Sequence, residues 1–379
     1  MPDLAIVEQE IQRLVRIYKE TLNDIIKRVF DASDIEKVRL YAVVNLVFKE
    51  INDLDEMSAR WASSNIRRLF RDTIKETTDQ LRGMGALRHS VKANESFSTA
   101  STDAVRALMM DPESGFIPNI YTVNNQLRFR IRSLQTQTNA LRSQQRLIDE
   151  TIARVGVLEG KNLNTIKQAL LRDLIQVKDT SEMVWKPRIS NIQGNSMLKN
   201  LSEIPYVKTA TIRGERLIRL DKYVEMVART KTAQAVDIAK RLTLMKNNQT
   251  LVLFTLSRSK WEDACDIFVG RVFSLSQSEA SSLGIAYINE LPSGGIPLHP
   301  NCTHSITVYF DGLLPPEHTA LAMTRPPEWA LNRNWGDVEK QYRSMGGIKG
   351  IMELNPAFKF AANTGGWQRS AGAKKGGKK

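Results

Sequence analysis

Apolar residues recur at three- and four-residue spacing from the start of the chain: Leu4, Val7, Ile11, Leu14, Tyr18, Leu22, Ile25 and Val29. That spacing lines one face and predicts an amphipathic helix over 3–30. The run Ser33-Asp34-Ile35-Glu36 has the form of a capping box, so a second helix is expected from there to about Asn52. A third periodic set (Met57, Trp61, Ile66, Leu69, Phe70, Ile74, Leu81) runs into Gly83 and Gly85, residues suited to closing a helix. A shorter helix is expected near 97–110, with Ser96-Phe97-Ser98-Thr99 as its capping end, before Pro112 through Pro118 break the chain. Next comes a heptad seam over 127–155: Leu127, Ile131, Leu134, Thr138, Leu141, Gln145, Ile148, Ile152 and Val155. Its polar members, Thr138 and Gln145, could fix register, either inside a helical bundle or in self-association through this helix. One more helix is expected over 162–178.

From about Trp185 the pattern changes period. Tyr206 to Ile212 and Arg216 to Leu220 flank Arg213-Gly214-Glu215 and read as a hairpin. A helical stretch from Asp221 to Asn247 follows, then strands at 251–257, 271–275, 284–289 and 305–310. Beyond Asp311 the chain is dotted with Pro315, Pro316, Pro326 and Pro327 and carries Trp329 and Trp335, which suggests an extended arm with a short helix near 336–345. The fold class is α+β: a predominantly helical N-terminal half with long helices (1–180), a small α+β module (181–311) and a C-terminal arm (312–379).

Composition narrows this picture only a little. A chain of 379 residues that is 42% hydrophobic and 25% charged can bury a core in more than one domain. No apolar run approaches the roughly 20 residues that cross a bilayer, so no membrane crossing is expected. Met1-Pro2-Asp3-Leu4 lacks the cationic start of a secretory signal, which points to synthesis in the cytoplasm. Charge adds more. The net charge is +13, and 114–148 holds no acidic residue while carrying Arg128, Arg130, Arg132, Arg142 and Arg146. With the tail lysines Lys374, Lys375, Lys378 and Lys379, these are the candidate contacts to the phosphates of double-stranded DNA. A solvated helix face and a solubilising tail are the plainer readings of the same residues.

The chemistry concentrates between Glu262 and His304. The chain has two cysteines, Cys265 and Cys302, and the second sits in Leu298-His299-Pro300-Asn301-Cys302-Thr303-His304. Cys265, His299, Cys302 and His304 form an N2S2 donor set, enough for one structural Zn2+ in a knuckle that ties two turns together. Glu262 is an alternative oxygen donor of harder character. The other reading is that the turns are held by hydrogen bonds and packing alone. A catalytic zinc is disfavoured, because four protein ligands leave no open position for water. Nucleophilic use of Cys302 with a neighbouring histidine has only sequence proximity behind it, and no enzyme activity is expected.

The order of these motifs resembles a known family. Leu220-Asp221-Lys222-Tyr223-Val224-Glu225-Met226-Val227-Ala228-Arg229-Thr230 precedes a strand, then Cys265, then Gly270-Arg271-Val272-Phe273-Ser274-Leu275, then the His-Pro-Asn-Cys run. Over roughly 205–311 this is similar to the Mu F-like head morphogenesis domain of phage minor head proteins. Cys265 stands for the family's second cysteine and Glu262 for its first; Lys231 replaces an acidic residue, and Thr303 replaces an arginine. Arg229 has a structural reading, reaching a carboxylate such as Glu225, and an anion-binding one. The resemblance implies a virion protein of the head interior near the portal, present in few copies. It also implies portal protein and major capsid protein as partners, and contact with or exit alongside the genome. The alternative is a DNA-binding accessory protein of assembly that mature particles do not retain.

Overall fold

The structure is a computed structural model that describes residues 4–34, 40–84, 98–132, 175–179, 182–185, 206–211, 214–255, 263–302, 304–314, 316–332, 334–347 and 349–350. It is predominantly helical, with a small mixed sheet in the C-terminal half, an α+β layout. Packing divides the chain into two units, one of residues 8–63 and 112–225, the other of 1–7, 64–111 and 226–379. The units interleave along the sequence, where patterning suggested consecutive blocks 1–180, 181–311 and 312–379. Along the chain, α2 (Leu40–Gly83) and α5 (Leu220–Lys246) each contribute residues to both. No described helix is long and apolar enough to cross a membrane.

In the first unit, α1 (Leu4–Asp34) buries Ile11, Leu14, Tyr18, Leu22 and Ile25, the face its periodicity marks. The two helices expected at 33–52 and 57–82 are one continuous helix, α2. The linking residues Asn52-Asp53-Leu54-Asp55-Glu56 contain no glycine or proline to stop it, and Leu54 is fully buried within it. A helix α4 over 116–132 completes the core with Phe116, Ile120, Val123, Leu127 and Ile131. Its first turn accommodates Pro118, as first turns do. A buried polar network fixes the three helices. Tyr18 Oη and Ser58 Oγ are 2.6 Å apart, and Asn124 Nδ2 donates to Asp55 Oδ1 at 2.6 Å. Burial pushes the Tyr18 phenol well above its ordinary pKa, so it stays a neutral hydrogen-bonding group. Continuation of the heptad seam beyond 132 lies outside the described residues.

Two hairpins follow. β1 (Ile175–Asp179) pairs antiparallel with β2 (Glu182–Trp185), and β3 (Tyr206–Thr211) with β4 (Gly214–Arg219). The second is the hairpin that patterning predicted. The first corrects the expected helix over 162–178 at its C-terminal end, where Ile175, Val177 and Val184 supply the β-branched alternation of strands. Helix α3 (Thr99–Met110) begins as expected, with Ser98 accepting from Ser101 N as its N-cap.

The second unit is organised by a four-stranded sheet in the order β7-β6-β5-β8. Its strands are β5 (Leu251–Thr255), β6 (Val272–Ser274), β7 (Ala286–Tyr287) and β8 (Ser305–Val308), with the short helix α6 (Gln277–Leu283) joining β6 to β7. All four coincide with predicted strands. β5 is buried on both faces, as its unbroken apolar run requires. Val252 and Phe254 enter a core with Phe268, Phe273, Leu298 and Ile306, while Leu253 packs on the other side with Val272, Ile285 and Tyr309. Gly270 takes φ +78, where a side chain would be strained, and its N–H donates to Phe254 O at 2.9 Å. β8 is an edge strand; Lys240 of α5 donates to Ile306 O at 3.0 Å and to Ser305 Oγ at 2.6 Å.

The segment after Asp311 carries the short helix expected near 336–345, but over 316–338 it packs residues into the core where an extended arm was expected. It forms α7 (Pro316–Ala322), a 3-10 turn (Glu328–Leu331) and α8 (Trp335–Ser344), and Ala330, Leu331 and Val338 are buried. The prolines punctuate short helices, and the apolar residues between them supply the docking face. Buried Arg271 secures this segment by donating to Thr324 O at 2.8 Å and Thr324 Oγ1 at 2.6 Å. Burial lowers the Arg271 pKa to about 10.

Candidate metal centre

Three local structures carry the donors. Cys265 lies in a buried 3-10 turn, Ala264–Phe268, that follows β5. The turn is held reciprocally at its start: Cys265 N donates to Asp263 Oδ1 at 3.2 Å, and Asp263 N donates to Asp266 Oδ2 at 3.0 Å. The second element is the tight turn His299-Pro300-Asn301-Cys302, closed by Cys302 N donating to His299 O at 3.1 Å. Asn301 takes φ +62 there, a left-handed conformation that asparagine tolerates. The third is His304, which immediately precedes β8.

These elements converge on one point. Cys265 Sγ lies 3.2 Å from His299 Nε2 and 3.2 Å from His304 Nδ1, and Cys302 Sγ lies 3.4 Å from His304 Nδ1. Each imidazole has its other nitrogen engaged. His304 Nε2 is 3.0 Å from Asp266 Oδ1, and His299 Nδ1 is 2.9 Å from Pro300 O. A carboxylate and a carbonyl only accept, so those nitrogens carry the protons and the inward nitrogens present lone pairs. In the neutral rings, the form that binds a metal, two sulfurs and two imidazole lone pairs then face each other. Cys265, Cys302 and His304 form a buried group that could hold a metal ion. Asp263, Cys265 and His299 form an overlapping group at its solvent edge.

The electrostatics point the same way. The hydrogen bond from Cys265 holds the Cys302 thiol far below its ordinary pKa, against the opposing effect of burial. Burial raises that of Cys265. Burial alone would depress His304, but its bonds to Asp266 and Cys302 outweigh this and raise it to about 9. His299 is raised as well: burial opposes the change, and the Cys302 bond leads the groups that overcome it. Without a cation the pocket thus shelters a thiolate beside a protonated imidazole. A divalent ion would replace those protons with one compact charge.

The surroundings are dry. Cys265 is 0% exposed, Cys302 7% and His304 4%, and the Phe254 ring lies 5.2 Å from the His304 ring. Trp335 of α8 stacks on His299 at 4.6 Å between ring centres. Cys265, His304 and Asp266 also line up as a thiol–imidazole–carboxylate relay, the arrangement of a nucleophilic site. A nucleophile must be reached by substrate, and the Cys265 sulfur is sealed.

All four metal-candidate residues read from the sequence are therefore brought together, and Glu262 lies outside the described residues. Sequence reasoning missed Asp263, Asp266 and Trp335. The pattern Asp263-Ala264-Cys265-Asp266 around the first cysteine was the available signal for the two carboxylates. Among the basic candidates, Arg128 is committed to an ion pair with Asp55 at 2.5 Å and is mostly buried. Arg130 is half-buried, and Arg132 is exposed with its guanidinium 4.9 Å from the centre of the Phe48 ring. Arg142, Arg146, Lys374, Lys375, Lys378 and Lys379 lie outside the described residues. Arg229 is half-buried, while Glu225 takes a hydrogen bond from Lys222 at 2.8 Å. No family model, no curated protein and no solved structure matches this chain.

Proposed function

We propose that this chain is a structural minor head protein of a tailed bacteriophage, associated with the portal and inner capsid. In this reading its α+β module is stapled by one zinc held by Cys265, His299, Cys302 and His304. The observation that carries the reading is the convergence of these four donors within the stretch whose motif order resembles the head morphogenesis family. Zinc suits the donor set. Zn–S bonds of about 2.3 Å and Zn–N bonds of about 2.0–2.1 Å put tetrahedral S and N ligands roughly 3.5 Å apart. The observed separations of 3.2–3.4 Å need only a slight opening to admit the ion. With four protein ligands the metal's role is to join turns, and the basic window of 114–148 is assigned to contact with DNA.

Cross-linking mass spectrometry of salt-washed virions tests the head role. Peptides of this chain linked to portal protein through residues 3–155 are expected. Absence from mature particles would remove the head-component reading and favour an accessory protein of assembly. Asp266 supplies a finer test of the metal. Asp266→Asn keeps the shape but removes the carboxylate that orients His304, so zinc affinity should fall about 10–100-fold in competition with a chromophoric chelator. Unchanged affinity would mean that His304 is not a ligand.

A further inference from the structure

The unit of residues 8–63 and 112–225 carries an open groove of about 430 Å3 lined by Asn52, Tyr121, Asn125, Arg128, Phe129 and Arg132. The lining contains no carboxylate. Its two aromatic rings are left in water: Tyr121 is 54% exposed and Phe129 74%, the highest value among the exposed large apolar side chains of the described residues. Exposed rings rimmed by polar groups are the make-up of a binding surface. Flat cations accompany flat rings here. The Arg128 guanidinium lies 5.6 Å from the centre of the Tyr121 ring, and that of Arg132 lies 4.9 Å from the centre of Phe48.

The groove is also set in advance. Arg128 is fixed by Asp55 at 2.5 Å and by Asn52 Oδ1 at 2.7 Å, so it offers a held guanidinium face rather than a flexible charge. Asp55 is in turn satisfied by Arg128 and Asn124, which leaves it little negative field to project into the groove. The components match the parts of a nucleotide. Exposed rings take the faces of bases, the Nδ2 groups of Asn52 and Asn125, whose oxygens accept from Arg128, can donate to a base edge, and Arg132 can meet a phosphate. A duplex hides its base faces, so an aromatic platform is useful only to an unpaired strand. A protein partner would equally bury the rings, but nothing in that case requires the paired amides and stacked guanidinium planes.

From this geometry we infer that the groove binds single-stranded nucleic acid, one unpaired base stacking on Phe129 with its phosphate toward Arg132, and a second base meeting Tyr121 about two helical turns away. The inference rests on the nucleic-acid contact proposed above and changes its nature from phosphate contact alone to base stacking. The test uses the full chain, a labelled oligothymidylate and a duplex of equal length, with binding followed by fluorescence anisotropy at two salt concentrations. The single strand should bind at least about tenfold more tightly than the duplex. Phe129→Ala should remove roughly that factor for the single strand alone, and Phe129→Tyr should restore it. Phe129 is exposed, so these variants should keep the wild-type circular dichroism spectrum. Equal affinity for both nucleic acids, or indifference to Phe129→Ala, overturns the groove assignment and leaves salt-dependent phosphate contact standing. Binding to neither overturns the nucleic-acid contact as well, and cross-links from position 129 to a protein would then identify the groove's occupant.

Discussion

Cys302→Ser is expected to abolish zinc retention and to unfold the C-terminal module at ordinary temperatures. Wild-type protein purified without chelator should carry about one zinc per chain, the stoichiometry of a closed four-ligand site. Serine offers a hydroxyl that does not ionise at neutral pH, so three ligands remain and the site opens. Structural zinc in small modules carries an apparent binding free energy of order 10 kcal/mol, comparable to a domain's whole margin of stability of about 5–15 kcal/mol. Elemental analysis and thermal melts by circular dichroism provide the check, with a strong chelator expected to reproduce the effect in wild-type protein. A metal-free wild type as stable as the metal-loaded one would end the zinc reading. The turns would then be held by packing and by hydrogen bonds, those of Asp263 and Asp266 and the Cys302 N–H to His299 O bond among them.

Phe254→Ala should carry the largest cost of any substitution outside the donor set. Phe254 is fully buried in the central strand, its ring 5.8 Å from Phe268, 6.0 Å from Phe273 and 5.2 Å from His304. Truncation loses the transfer energy of the ring and leaves a cavity that a sheet paired on both sides cannot collapse to fill. The expected destabilisation is about 3–5 kcal/mol, measured by urea denaturation. Because the cavity opens against His304, zinc should also dissociate faster. A loss below about 1 kcal/mol would show that β5 does not sit at the centre of the core.

The residues explain which parts of this were legible in the sequence. The four strands of the sheet and the hairpin at 206–219 were readable because β-branched and aromatic runs are bounded there by glycine, asparagine or serine. The face of α1 was readable because its apolar spacing never slips. The fusion of two expected helices into α2 was not. Ser33-Asp34-Ile35-Glu36 looks like a start, yet α1 continues through Asp34, and nothing between Asn52 and Met57 marks either a stop or a continuation. The strand at 175–179 was missed because four to six residues of mixed polarity satisfy both periods. At the metal site the soft ligands were visible by rarity alone. Asp263 and Asp266 were invisible because carboxylates are common, and only the folded turn shows which of them face the cluster. Trp335 is separated from His299 by many residues, and no spacing rule connects a ring to the imidazole it covers.

The treatment of β8 bears on life at high concentration. An outermost strand is a template on which a second copy can add its own, and repetition of that step makes fibres rather than particles. Here the Lys240 ammonium already holds the Ile306 carbonyl, so an incoming strand would have to displace a charge-assisted bond and leave a cation stranded against its own backbone. The strand therefore behaves as a blocked end. Along this edge, self-recognition is opposed by a single side chain from the neighbouring helix.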